Sequence, residues 1–554
     1  MTDPRDQIRQ LKWCSRDRTD ILRQLKETTF DIVVIGGGIT GAGIAREAQI
    51  RGLSAALLEK TDFAWGTSSR STKMAHGGIR YLKNGEFGLV REATTERNWL
   101  RAHFPNLVRP VHFLYPAYAG SSESPRLLKF AVFLYDLLSN AFSKFKNYGG
   151  HRSLSAEEVA ALEPSLKSEG LVGGVTYYDT NVDDARLTLE TVKEAVARGA
   201  VALNYAEVVD FVEEGGQVRG VVTNDVPTGE KFEVRGKVVV NATGIWTDRQ
   251  LREPEPVIRP TKGAHVQFER EQLPLSHAVA LRHPKDRRAH FLIPRDEVVV
   301  LGTTDTDYVG DPDDVHVDLD DWEYLVESAQ TYFPGHEFRL EDAVSAYAGV
   351  RPLVREVGKS ESAVSRKHVI LTSPNGLVTI AGGKLTTFRK MAEDLIVRLV
   401  KAGTFPGISK KRNLSKVPYW VGAQREEWDQ QAAAYEAPED VKDHLYVSYG
   451  WAGLEVLELA KEQPALAERM VPNRPFIYAE VPHVVERELV YHLTDLLYRR
   501  MEVCLRVHPR HLKGVAERCA RLAGELLGWD EERRNAEVAE FVAQLRKDSF
   551  FWSP

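Results

Sequence analysis

Cysteine is scarce in this chain. The three present among 554 residues, Cys14, Cys504 and Cys519, form no CxxC pair and show no metal-ligand spacing. Neither a disulfide framework nor a metal site is therefore expected, and the thiols read as reduced, cytoplasmic ones. Strong charge of either sign is missing too. The formal net charge of −6 leaves no basic footprint for nucleic acid. No run of about 18 uninterrupted apolar residues occurs, so no spanning helix is expected. The nearest stretch, 130–142, is short and carries Asp136. Met1–Lys26 is charged throughout, unlike a secretory signal. Internal repeats and low-complexity segments are also lacking. What remains is a soluble or peripheral globular protein, long enough for two to four structural units.

Ahead of Asp31 the sequence reads as a charged helix with apolar positions at Ile8, Leu11, Ile21, Leu22 and Leu25. It would either lie on the body of the protein, the preferred reading, or turn a basic face to anionic lipid. From Asp31 to about Val400, strand-like runs at 32–35, 55–58, 238–240, 298–301 and 378–380 alternate with helical patterns, an α/β texture. Beyond about Thr404 a basic stretch through Lys416 gives way to helical patterns. Those at 486–506 and 513–527 have the clearest apolar spacing. The expected division is an N-terminal helical segment (1–29), an α/β region (30–404) and a C-terminal helical domain (405–554).

The strongest motif begins at Asp31. A buried strand runs into Gly36, Gly38 and Gly41 at GxGxxG spacing, a helical pattern follows through Gln49, and a second strand, 54–58, ends on Glu59. Gly36 suits a tight turn, Gly38 a close approach of backbone to a pyrophosphate, and Gly41 close packing of helix on strand. The helix N-terminus supplies oriented N–H groups, and Glu59 can accept from ribose hydroxyls. NAD would satisfy this unit equally well. Two further strand ends favour FAD: Asn241-Ala-Thr-Gly244 and Ala381-Gly382-Gly383-Lys384, the latter opening a helix at Leu385 and Thr386. Three glycine-bearing stops fit a long cofactor laid along one sheet.

Directly after the first nucleotide unit comes Thr67-Ser-Ser-Arg-Ser-Thr-Lys-Met-Ala-His-Gly-Gly-Ile-Arg-Tyr-Leu82. Its small hydroxyl residues Thr67, Ser68, Ser69 and Ser71, with His76, suit a loop around a cofactor, leaving Arg80 and Tyr81 to point beyond it. Arg351 and Lys384 add two more polar candidates. Any one surface cation is normally just solvated, but several near a flavin would suggest an anionic substrate. His265 is either a proton acceptor or a packed structural ring; the sequence leaves both open.

These stretches resemble a known family, the FAD-dependent glycerol-3-phosphate dehydrogenases of bacterial respiratory type. The resemblance rests on Asp31–Gly43, Ala64–Leu82, Asn241–Trp246, Lys262–His265, Gly302–Tyr308, Ala346–Leu353 and Gly382–Arg389. It implies a glutathione-reductase-like FAD-binding domain, a discontinuous α+β substrate domain (roughly 105–175 and 256–345) and a C-terminal all-helical domain. It also implies oxidation of sn-glycerol 3-phosphate to dihydroxyacetone phosphate. Electrons would pass to membrane quinone from a cytoplasmic site held peripherally on the inner face of the cell membrane. By the same resemblance Arg80, Tyr81, Arg351 and Lys384 bind substrate, and His265 lies near the reacting carbon. Two departures stand out: Arg70 in the cofactor loop, and Arg499-Arg500-Met501 in place of an Arg-Arg-Thr run. Competing readings are a glycerol-phosphate oxidase that reduces oxygen to peroxide, an amine or amino-acid oxidase, and a non-catalytic FAD-stabilised interaction protein. The oligomeric state, homodimer included, stays open.

Overall fold

The computed structural model describes residues 11, 13–82, 85–121, 123–141, 144–251, 255–355 and 367–552. Ile8 of the expected N-terminal helix lies outside them.

Two sheets organise the described residues. The first has eight strands. Its parallel centre runs Val378–Ala381, Glu230–Asn241, Thr29–Ile35, Ala55–Leu58 and Val201–Leu203. Ile32, Val33 and Val34 are wholly buried, as befits a strand covered on both faces. Helices Ile39–Ile50, Asp184–Ala197 and Phe388–Lys401 pack together over one face. Helix Arg18–Glu27 lies on the body through Ile21 and Leu25, the preferred of the two expected placements.

The second sheet has nine strands. Its path is Thr306–Asp307, Ile258–Glu269, Val298–Gly302, Ala289–Arg295, Ala278–Arg282, Arg109–Tyr118, Leu171–Asn181 and Arg152–Leu154, with Ala343–Val354 paired along Ile258–Glu269. It is antiparallel except where Ala278–Arg282 meets Arg109–Tyr118. The strands come from two separated stretches of chain.

Helices dominate from Arg425 to Asp548. The pattern at 513–527 is one helix, Leu512–Leu527. That at 486–506 is not. Helix Glu480–Arg487 ends, Leu489 takes a φ of 47°, Asp495–Arg500 is π-helical, and Glu502 has a φ of 52° before Val503–Arg506. Buried charges cause the break. The Asp495 carboxylate accepts from the Tyr491 and His492 amides, while Arg499 and Arg500 reach across to Asp62. A wider helical turn there is the kind of irregularity that places specific side chains.

Candidate active site

Strand Thr29–Ile35 ends at Gly36, whose φ of 108° excludes most side chains. A Cβ at Gly41 would stand 1.9 Å from the Gly36 carbonyl oxygen, so only glycine lets the helix start so close to the strand end. Gly38 caps helix Ile39–Ile50, and the Ile39 amide donates to Ser68 Oγ at 3.0 Å. The Glu59 carboxylate accepts from the Gly37 amide (2.7 Å), the Thr61 amide (2.9 Å) and the Thr61 hydroxyl (3.1 Å). Burial pushes its pKa up, against the pull of these donors.

The other two strand ends open beside the first. Asn241 holds the turn that follows it: its Oδ1 accepts from the Thr243 amide and hydroxyl, and its Nδ2 donates to the Thr247 carbonyl. Gly382 and Gly383 lead into the short turn Leu385–Thr387, where the Thr386 hydroxyl donates to the His76 carbonyl at 3.2 Å. All three ends border one cleft with a cavity volume of about 360 Å³, in the size range of cofactor sites.

That cleft gathers nearly every residue singled out in the sequence: Gly36, Gly38, Glu59, Thr67, Ser68, Ser71, His76, Arg80, Tyr81, Gly244, His265, Arg351, Gly382, Gly383, Lys384, Leu385 and Thr386. Gly41 and Ser69 stand back from it. Gly41 packs helix on strand, and the Ser69 hydroxyl turns to the Trp65 and Gly66 carbonyls. Several loop hydroxyls already have protein partners. Thr67 donates to the Val350 carbonyl at 2.6 Å, and Ser71 to Asp184 at 2.6 Å. These bonds shape the loop, as does the Ser71 amide, which donates to the same Asp184 carboxylate at 2.9 Å.

At the far end of the cleft stand residues of the second sheet. His265, on strand Ile258–Glu269, is buried. Its Nε2 meets the Thr72 hydroxyl at 3.0 Å and its ring stacks on Tyr347 with centroids 4.8 Å apart. Burial, then the positive charges of Arg351 and Lys73, hold its pKa well below the ordinary value, so the ring is neutral at neutral pH. Arg351, one strand over, donates to Asp305 Oδ1 (3.0 Å), Thr303 Oγ1 (2.9 Å) and the carbonyls of Lys262 and Thr304 (both 3.2 Å). A Cβ at Gly263 would sit 2.3 Å from this guanidinium. Lys384 places Nζ over the Tyr81 ring at 3.7 Å, and Arg80 lies over the same ring at 5.3 Å.

Sequence reasoning missed the supports of these residues. Thr72, Tyr347, Thr303 and Asp305 all sat inside quoted motifs, without a signal that they would touch His265 or Arg351. Lys73 was missed as well. It is buried against Asp184 (2.6 Å) and Glu502 (2.8 Å) and donates to the Ser69 carbonyl at 3.2 Å. Glu502 also holds Arg295 at 2.5 Å.

The room left by the missing side chains of Gly36 and Gly41, the helix start and Glu59 fit a dinucleotide, and the two further strand ends extend that cradle toward His265.

Comparisons with known proteins agree. The family "FAD dependent oxidoreductase" matches residues 31–389, and "C-terminal domain of alpha-glycerophosphate oxidase" matches residues 416–534. A glycerol-3-phosphate dehydrogenase of Mycobacterium leprae is 37% identical over 94% of this chain and 88% of its own length. An aerobic glycerol-3-phosphate dehydrogenase of Bacillus subtilis is 36% identical over 95% and 96%. The crystal structure of a glycerol-3-phosphate dehydrogenase from Bacillus halodurans complexed with FAD superposes with a TM-score of 0.79. It covers 97% of this chain and 98% of its own at 31% identity.

Proposed function

Because the chain belongs to the family of FAD-dependent glycerol-3-phosphate dehydrogenases, we propose that it oxidises sn-glycerol 3-phosphate to dihydroxyacetone phosphate and passes the electrons to a membrane quinone. The coarser part of this statement, FAD-dependent oxidation of glycerol 3-phosphate by a dehydrogenase or an oxidase, is common to its relatives. The quinone acceptor and the placement at the inner face of the cell membrane belong to the proposal. Among the described residues, no helix is long and apolar enough to cross a membrane.

The observation that carries the reading is one cleft holding both a dinucleotide cradle and, at its other end, His265 among Arg80, Arg351 and Lys384. When bound, FAD supplies the hydride acceptor. The chain's own residues do the rest. Glu59 accepts from ribose hydroxyls, and amides at the start of helix Ile39–Ile50 face the pyrophosphate. The cations orient the substrate phosphate, which fixes the secondary alcohol against the cofactor. The alcohol's O–H proton would pass to His265 Nε2 in place of the contact this nitrogen makes with the Thr72 hydroxyl, and the C–H hydrogen would go as hydride to the bound cofactor, leaving the C=O bond. A phosphate beside Arg351 also offsets the positive field that depresses His265. Substrate binding thus makes the ring a better base at the moment it is needed.

An anaerobic titration tests the reading. Glycerol 3-phosphate should bleach the bound flavin, and a quinone analogue should restore its colour much faster than oxygen does. Lack of bleaching would sink the substrate assignment. Rapid reoxidation by oxygen with stoichiometric peroxide would move the chain to the oxidase reading, which the match of its C-terminal region to an oxidase domain keeps in view.

A further inference from the structure

Helix Pro125–Asn140 has two apolar sides. One is buried: Leu128, Val132 and Tyr135 enter a core shared with Tyr81, Phe113 and Tyr177. The other is bare. Leu127, Phe130, Phe133 and Leu137 are 51%, 61%, 51% and 46% exposed. Their spacing of three, three and four residues lines them along one stripe. Scattered exposed apolar residues are ordinary, but a contiguous row marks an interaction surface.

The charge beside the stripe says what it meets. Residues 125–152 carry Arg126, Lys129, Lys144, Lys146 and Arg152, and Asp136 is their sole acid. All five cations are exposed, Arg152 alone of them reaching a carboxylate among the described residues, Glu158 at 3.9 Å, while Asp136 is held by His151 Nδ1 at 2.7 Å. This basic excess sits on a chain of net charge −6. We propose that this face docks the protein on an anionic phospholipid surface, the apolar stripe entering the headgroup boundary and the cations meeting lipid phosphates. A second copy of the chain fits less well, because a two-fold contact would set the same basic groups against each other.

Two other candidate lipid contacts lack these features. Helix Arg18–Glu27 buries its apolar residues Ile21 and Leu25. The basic stretch at 410–416 spends Arg412 on Glu393 and Asp394, and Lys416 on Glu96.

The proposal rests on the quinone reading and sharpens it. The buried side of the same helix packs on the turn Ile79–Leu82, which carries Arg80 and Tyr81. Docking by the outer side would therefore bring the substrate end of the cleft close to the bilayer, where a lipid-soluble acceptor resides.

Vesicle sedimentation of the full-length flavoprotein provides the test. Wild type should bind vesicles of equal parts phosphatidylcholine and phosphatidylglycerol and bind phosphatidylcholine alone weakly, with binding falling as salt rises from about 0.1 to about 1 M. Phe130→Ser/Phe133→Ser should lower the partition coefficient at least about tenfold, in line with the transfer free energy of two phenyl rings. Lys129→Glu/Lys144→Glu should abolish the preference for phosphatidylglycerol. Both variants should keep wild-type flavin bleaching by glycerol 3-phosphate and wild-type dye reduction. Wild-type binding by the double serine variant, or no vesicle binding by wild type, would overturn the proposal. So would a wild-type dimer that the serine variant turns into a monomer. Vesicle binding through this face together with reoxidation by oxygen alone would uphold the docking surface and sink only the quinone reading.

Discussion

At the His265 end of the cleft, one carboxylate serves two cations. Asp305 bonds Arg351 and lies within electrostatic reach of Arg80. A phosphate drawn to these cations must therefore compete with it. Replacing that carboxylate by an isosteric amide removes the repulsion and keeps a hydrogen-bond acceptor for Arg351. Asp305→Asn should lower the KM for glycerol 3-phosphate at least about threefold, in keeping with like-charge repulsion near a protein surface. An unchanged or higher KM would show that the phosphate binds away from Arg351. His265 gives the complementary prediction for turnover. Its alanine variant should reduce bound flavin about 100-fold more slowly or worse, read by anaerobic stopped flow; a loss of only a few-fold would remove it as the base. Because its pKa lies well below 6.5, the wild-type profile of kcat/KM should show no protonation of this ring between about pH 6 and about pH 8. The placing of His265 and Arg351 beside one cleft was legible in the sequence because each sits in a quoted motif. Asp305 and Thr72 were not so legible. Each acts through a partner 46 or 193 positions away, and no local pattern records such a pairing.

Among the elements, the strand–glycine–helix unit was legible almost residue for residue, since turn, cap and close packing are all local demands on the backbone. Its tightest point gives a clean test. A methyl at Gly41 has no room beside the Gly36 carbonyl, so Gly41→Ala must push the helix start away from the strand end. That moves the amides meant for the pyrophosphate. The purified variant should lose most of its visible flavin absorbance relative to protein absorbance. Gly88→Ala, where a Cβ meets nothing within 4 Å, should keep it. Equal flavin content in the two would separate Gly41 from cofactor retention. The segment at 486–506 went the other way. Its apolar spacing reads as one helix, yet Glu488, Asp495, Arg499 and Arg500 are buried and bond partners elsewhere in the fold. Buried ion pairs overrode local periodicity there, and periodicity was the only thing the sequence displayed.

The whole molecule is tied together by these same pairs. Arg499 and Arg500 hold Asp62, just beyond Glu59, and Glu502 holds Lys73 in the cofactor loop. The C-terminal helices thus set the position of the loop that wraps the cleft, and Arg499-Arg500, the two arginines that precede the departure at Met501, have a structural role. Acid should loosen the assembly. His290 and His483 are buried, each with a pKa pushed down to about 3 mainly by burial. A depressed histidine pKa means that the unfolded chain binds a proton the folded chain refuses. The contribution of these two rings is then full above about pH 6.5 and falls on acidification toward pH 3, by about 1.4 kcal/mol per pH unit for each ring, and the raised carboxyl of Asp183 offsets part of that loss. Urea midpoints that rise or stay level from pH 7 to pH 5 would contradict this.

The sharpest test of the tie lies at Glu502, whose carboxylate sits between Lys73 and Arg295. Beside it Asp183, pushed up to about 7 by burial and then by the negative charge of Glu502, is a carboxylate in reserve. Its Oδ1 caps helix Asp184–Ala197 through the Arg186 amide at 2.8 Å, a bond that asparagine keeps. Removing one partner of a buried pair costs about 3–5 kcal/mol when the opposite charge is left alone. In Glu502→Gln, however, Lys73 and Arg295 draw down the pKa of Asp183, which ionises at neutral pH and replaces part of the lost charge. The single variant should therefore lose less than that range. Asp183→Asn alone should be mild, since burial and the charge of Glu502 hold Asp183 toward its protonated form. The double variant should lose more than the two singles together, by at least about 1 kcal/mol in a double-mutant cycle on urea midpoints, and should release flavin more readily. If the two effects add to within about 0.5 kcal/mol, Asp183 is no reserve for Glu502, and Glu502 holds Lys73 and Arg295 without its help.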